Sequence, residues 1–298
     1  MSYLAMMVLT LGCGTDTNEE SQTDVISDVG LTFTDFVNVV DSPVGDFTNF
    51  EGGYVDEWLT QQVDPDAQME IVLVGQTTDF ETGDPVSEAT VEVFGSNEII
   101  GSADQALESD ADGKVEGMMM TCTPFAYRVS TDPDLGDTKV TMQINEILDP
   151  DSIDPVVFDS VSSATYQVMP SLLGVSPDDE DGIVAGGAYD VNGDPVEGAQ
   201  IIIVNDEGAV PDGLVVKYFR DEFPNRDQEW TSADGLWVAI DVPPGEWNIE
   251  MYVADGGDGH VLMGSTSVSV VADSINISSV FTGYGDGIRL PESCKIDE

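Results

Sequence analysis

Few residues of this chain have the chemistry of a reaction centre. The single histidine, His260, follows a run of glycine and aspartate, a setting that suits a turn better than a proton relay. No serine or cysteine is spaced with it as a nucleophile would be. Cys13, Cys122 and Cys294 are too scattered to make a zinc set with one histidine. The stretch Gly182 to Gly187 lacks the Lys-Ser/Thr ending of a phosphate loop. Calcium is the best chemical expectation, since Glu108, Asp110, Asp112 and Gly113 echo the first half of an EF-hand loop. Met119 stands where the bidentate glutamate belongs, however, and Lys114 falls on the next ligand position. The same residues read as an Asp-Gly hairpin turn, and that reading is favoured. Asp132 with Asp134 and Asp137, and Asp178 to Asp181, are weaker acidic groups. Tyr218, Phe219, Trp230 and Trp237 are the aromatics that could stack on a sugar. Cys122 and Cys294 either pair in an oxidising compartment or stay as separate thiols. No catalytic residue is expected.

The elements that would position these groups are acidic outside and apolar within. Among 298 residues, 58 Asp and Glu face 8 Lys and Arg, a formal charge of −50. Such a surface has no cations to release the counterions of nucleic acid, and it is repelled by anionic lipid. An apolar fraction of 41%, in runs such as Gln200 to Val204, argues against a disordered chain. The acidity is then a solvated surface suited to high salt, where screening weakens self-repulsion.

An internal repeat organises the body. Gly83-Asp84-Pro85-Val86-Ser87-Glu88-Ala89 returns as Gly193-Asp194-Pro195-Val196-Glu197-Gly198-Ala199, each followed by a strand-like run. Asp112-Gly113 returns as Asp234-Gly235, after a spacing about twelve residues longer in the second copy. Gly-Asp-Pro is turn chemistry, and Asp-Gly between alternating segments marks a hairpin. Leu236, Val238, Ile240 and Val242 alternate with Trp237, Ala239 and Asp241, a period of two that faces one side to a core. The one helical candidate, Ser162 to Leu173, contains Pro170 and reads as part of a connector.

The order Gly186-x-x-x-Asp190-x-x-Gly193-Asp194-Pro195-Val196-x-Gly198-Ala199, then Asp234-Gly235, then Pro243-Pro244-Gly245-Glu246-Trp247, resembles the carboxypeptidase regulatory-like domain. That family belongs to the transthyretin-like (prealbumin-like) sandwiches and is similar to the B repeats of collagen adhesins. The resemblance covers residues 183–281 well and 71–148 more loosely. It implies Ig-like sandwiches that present or space other elements, sometimes with a carbohydrate-binding-like surface, and no catalytic residue. At the N-terminus, the apolar Leu4 to Leu11 followed by Gly12-Cys13-Gly14 resembles the lipobox of bacterial lipoproteins. The resemblance implies that Cys13 is acylated.

The expected architecture is all-β, two tandem Ig-like/transthyretin-like β-sandwiches after a flexible N-terminal tether. Its parts are a signal peptide over 1–13, an acidic tether over 14–66, a first module over 67–158 and a connector over 159–182. A second module over 183–283 and a C-terminal tail over 284–298 complete it. The expected function is a non-catalytic structural or adhesive protein, exported and lipid-anchored in a bacterial outer membrane, facing periplasm or cell surface. Its partners would be the membrane through the lipid and an envelope protein or glycan, with nucleic acid excluded. The alternatives are a carbohydrate-binding lipoprotein and, more remotely, a calcium-dependent adhesin; apart from calcium no cofactor is expected.

Overall fold

In the computed structural model of the chain the described residues are 58–99, 101–132, 134, 138–254 and 260–296. Cys13, the signal segment and most of the acidic tether lie outside them, as do Pro133 and Asp137. The class is all-β: sixteen strands and one α-helix among the described residues.

The first module contains β1 (Glu70–Asp79), β2 (Thr90–Phe94), β3 (Gln105–Glu108), β4 (Lys114–Met120), β5 (Pro124–Ser130), β6 (Thr138–Ile147) and β7 (Val156–Ser162). One layer is β4–β1–β7, with β4 antiparallel and β7 parallel to β1. The other is β3–β2–β5–β6. The period of two decides which side chains meet between them. Leu73 of β1, Val115 of β4 and Phe158 of β7 face Val91, Val93, Phe125 and Tyr127 of the other layer, whereas Val72 and Val74 face outward.

The second module repeats this plan with β8 (Gly182–Tyr189), β9 (Gln200–Val204), β10 (Val215–Arg220), β11 (Phe223–Asn225), β12 (Leu236–Val242), β13 (Gly245–Ala254), β14 (His260–Val270), β15 (Ser274–Ile277) and β16 (Val280–Phe281). Its layers are β11–β10–β12–β8 and β9–β13–β14. Trp237, Ile203, Ile249 and Met251 lie at the centre between them.

The repeated residues do the same mechanical work in both copies. The Ser109 hydroxyl accepts the Ala89 amide at 2.9 Å and donates to the Val86 carbonyl at 2.8 Å. Thr231 does likewise with Ala199 and Val196, at 2.8 and 2.6 Å. Gly113 and Gly235 both hold φ +70 to +75°, and a Cβ there would sit 2.6 Å from the Thr77 carbonyl oxygen and 2.7 Å from that of Ala188. Only glycine closes this turn against the neighbouring strand.

The connector holds α1 (Ser163–Leu173). The Ser162 hydroxyl caps it by accepting the Thr165 amide at 3.1 Å, and Gly174 ends it in the left-handed region. Pro170 sits inside the last turns and brings no amide to the helix. The connector's first residues, 159–162, are the end of β7, so the first module runs four residues past its expected limit. The polar Asp159, Ser160 and Ser162 obscure that strand in sequence; Ser160 is nonetheless buried.

One feature goes beyond two modules in tandem. β15 pairs in parallel with β8 on one side and with β6 on the other, through Ser274–Val140 to Ile277–Gln143. β6 is ten residues long and meets β7 only at Thr138 and Lys139, which leaves the next residues of its edge open. An open edge is a template for another strand, and β15 takes it. A single sheet therefore crosses both modules in the order β11–β10–β12–β8–β15–β6–β5–β2–β3.

Candidate functional site: the seam between the modules

The seam is assembled from β6, β15, the segment after β16 and the residues just before β1. β6 carries a bulge opposite β5, where the register shifts between Phe125 and Tyr127. Asn145 occupies it at φ 65°, a backbone state that asparagine tolerates better than most residues. A bulge turns a side chain away from the ladder, and here Asn145 becomes a bridge. Its amide N–H and side-chain oxygen bond the Asn97 side chain, both at 2.7 Å. Its Nδ2 donates to Thr266 Oγ1 at 3.0 Å and to the Asp286 carbonyl at 3.3 Å, both in the second module.

Further links flank this bridge. Lys139 on β6 pairs with Asp273, just before β15, and lies 4.7 Å from the centre of the Tyr166 ring on α1. Cys122 and Cys294 are joined by a disulfide across 172 residues. Around it Leu290, Val63, Ala67, Ile147 and Ile288 form a small apolar cluster. Ser293 donates to Asp149 at 2.6 Å. The C-terminal tail is thus docked, and residues 58–68, most of them expected as tether, dock with it. The Leu59 amide reaches the Gly283 carbonyl at 2.8 Å, Gln61 Nε2 reaches the Ile288 carbonyl at 2.8 Å, and Val63 bridges to Lys295. Short runs of polar and apolar residues without alternation gave no strand signal there.

The seam forms a partly open cavity of about 180 Å³, lined among others by Gln143, Asn145, Glu146, Ile277, Phe281 and Arg289. A chain of hydrogen bonds reaches it from the interior of the first module. The Asp159 amide donates to Tyr127 Oη at 3.0 Å, and Tyr127 Oη–H donates to Gln143 Oε1 at 2.7 Å. Gln143 Nε2 then donates to Glu146 Oε1. Burial pushes the Glu146 carboxyl up to about 7; the Gln143 bond opposes the shift, and Asp159 adds to it. Burial, with Asp79 nearby, raises Asp159 to about 6. The Tyr127 hydroxyl is pushed well above its usual value, chiefly by burial. The cavity can therefore take up a proton near neutral pH. The Arg289 guanidinium is tied to the Val191 and Asn192 carbonyls at 2.9 and 2.6 Å, holding the Gly-Asp-Pro turn of the second module.

Each of the eight basic side chains has such a structural partner. Arg128 pairs with Glu92 and lies over Phe94. Arg226 caps the α1 carbonyls of Ser171 and Leu172, Arg220 holds Gln228, and Lys217 reaches the Arg226 carbonyl. Lys114 and Lys295 pair with Asp112 and Glu292.

The residues singled out in sequence are placed elsewhere. Glu108 ends β3 and accepts from Thr90, while Asp110 and Asp112 lie in the β3–β4 turn. Asp110 Oδ1 accepts the amides of Asp112 and Lys114, both at 2.9 Å, and these bonds hold its carboxyl below the usual range. Among the described residues no three His, Cys, Asp or Glu side chains come together as metal ligands. The four aromatics do not form a sugar platform. Trp237 is 1% exposed in the second core, and Tyr218 is buried with its hydroxyl accepting the Ile201 amide. Phe219 packs beside α1, and Trp230 alone of the four is half-buried away from these cores. Strands β10 and β12 turn Tyr218, Phe219 and Trp237 onto faces that the second core and α1 cover. His260 opens β14 opposite Ala254. Asn145, Glu146, Lys139 and Asp273 were not anticipated; the break in β6 alternation at Asn145-Glu146, and the scarcity of lysine, are the signals that mark them.

No known protein family and no curated protein matches the sequence. Among solved structures the chain is similar to the Bacillus anthracis TIE protein, at 12% identity and a TM-score of 0.25, over 72% of this chain and 34% of that one. It thus spans about a third of that protein's length. It is also similar to the shaft pilin SpaA from Lactobacillus rhamnosus GG, at 9% identity and a TM-score of 0.22, over 72% and 98% of the two chains. A third likeness is GBS52, the minor pilin of Streptococcus agalactiae, at 9% identity and a TM-score of 0.23, over 76% and 99%. The all-β class rests on the strands and their pairing, not on these likenesses.

Proposed function

We propose that this chain is an exported structural or adhesive protein of the bacterial envelope, lipid-anchored through Cys13, whose two modules act as one rigid spacer. The observation that carries the reading is β15, whose parallel pairing with both β6 and β8 makes one sheet of two modules. Main-chain bonds along a shared sheet resist bending far better than the small polar contacts common between domains of one chain. The disulfide and the Asn145 bridge add fixed points on either side of that sheet. A spacer uses stiffness and an inert acidic surface, and it has no need of an active site. The test has two arms. Spin labels placed one on each module should give a single narrow distance distribution, and a broad one would refute the rigid unit. Protease shaving of intact cells should leave an acylated Cys13 peptide in the membrane; a Cys13 without lipid would refute the anchor.

A further inference from the structure

The outer faces of the two modules are built alike and covered differently. The register Leu236–Gly187 in the second module corresponds to Lys114–Gln76 in the first. Val72, Val74, Glu116 and Met118 therefore occupy the places that Ile183, Ala185, Val238 and Ile240 hold in the second. There, Tyr166, Met169 and Leu173 of α1 lie across Ile183, Ala185, Val238, Ile240 and Ile275, and that face is dry. In the first module Val72 is 60% exposed, Val74 50%, Val157 49% and Met118 43%, with Met120 beside them also exposed. A contiguous aliphatic and methionine face on the outside of a sheet marks a place where something docks.

Charge decides what docks. Glu70 and Glu116 share this face, Lys114 at its edge is paired with Asp112, and the chain as a whole carries −50. A second copy would bring the same acidic rim. The segment before Trp58 contains aspartate and glutamate and no lysine or arginine, so it too is repelled. The geometry points to an amphipathic helix of another protein, apolar on one side and rich in lysine or arginine along its flanks, seated on the β4–β1–β7 face as α1 is seated on β12–β8–β15.

The probe is a fluorescent Leu/Lys amphipathic peptide of about 18 residues, five helical turns, titrated into the full chain at low and at 1 M salt. One-to-one binding should persist at 1 M salt, where exposed charges are screened, and Val72→Glu with Met118→Glu should weaken it about tenfold. Val72→Ser with Met118→Gln, a milder pair, should weaken it in the same direction, while Phe223→Glu, on the exposed β10–β11 hairpin, should leave it unchanged. If attraction to the acidic surface were all, the added carboxylates would hold or strengthen binding and high salt would abolish it; either result overturns the proposal. Methionine oxidation of the protein alone supplies the other arm. Protection of Met118 and Met120 at every concentration would mean that the chain's own N-terminal segment covers the face. Protection that grows with concentration alongside a dimer in sedimentation would mean a second copy, and binding of neutral lipid vesicles through Val72 and Met118 in place of the peptide would mean a membrane. Each of these overturns the helix proposal.

Discussion

Glu146→Gln should stabilise the protein at pH 8 and do little at pH 4.5. The carboxyl is raised from 4.5 to about 7, so the folded state holds a proton that the unfolded chain has released. The stability that comes with this proton is fully present below pH 4.5 and is lost as pH rises through about 7. A shift of that size corresponds to roughly 3 kcal/mol, and partial contact with water makes about 2 kcal/mol the better expectation. Glutamine cannot ionise and keeps the shape, so the variant is spared this loss. Asp159, raised to about 6 for the same reason, makes the wild-type decline begin earlier. Urea unfolding at fixed ionic strength, followed by circular dichroism, reads the difference as a midpoint shift of about 1 M at pH 8 for a slope of 2–3 kcal/mol per M. Equal gains at both pH values would mean that packing, not the buried charge, separates the variants. A loss at pH 8 would mean that the carboxylate is stabilising, and the assignment of a buried proton would fail.

Three further outcomes test the seam and the turns. Replacing Cys122 and Cys294 together by serine should lower stability by about 3–5 kcal/mol, given a closed loop of 172 residues; thermal unfolding with and without reductant checks it, and reductant should not affect the variant. Asn145→Ala removes the three hydrogen bonds of the side chain and strains a left-handed residue, and should cost about 2–4 kcal/mol and broaden the inter-module distance distribution. Asn145→Gly, which keeps the backbone state, should cost less than Asn145→Ala. Gly113→Ala and Gly235→Ala should each cost at least about 2 kcal/mol by denaturant titration, and by similar amounts, because each Cβ would crowd a carbonyl oxygen in the same way.

How much of the structure is legible in the sequence follows the range of the forces involved. The all-β class, the paired turns and the ends of α1 are encoded by neighbours in sequence. Gly-Asp-Pro and Asp-Gly set their own backbone, strand alternation shows within seven residues, and Ser162 and Gly174 cap the helix between them. The aromatics misled because an aromatic in a strand carries no sign of which face it takes. Trp237 alternates out of step with Leu236 and Val238, yet it is the residue at the core, while α1 buries the other side.

Two sandwich modules, their repeated turns and an acidic, cation-poor surface are legible in the order of residues, because periodicity, turn chemistry and charge are properties of adjacent residues. That the modules share a sheet, that Cys122 meets Cys294 and that Lys139 meets Asp273 across 134 residues emerges once the chain is folded. The pairing of β15 with β6 is made by amides and carbonyls that every residue but proline carries alike, so no side chain announces it. Glu146 has its raised pKa for the same reason: the seam that buries it exists only once both modules are folded against each other.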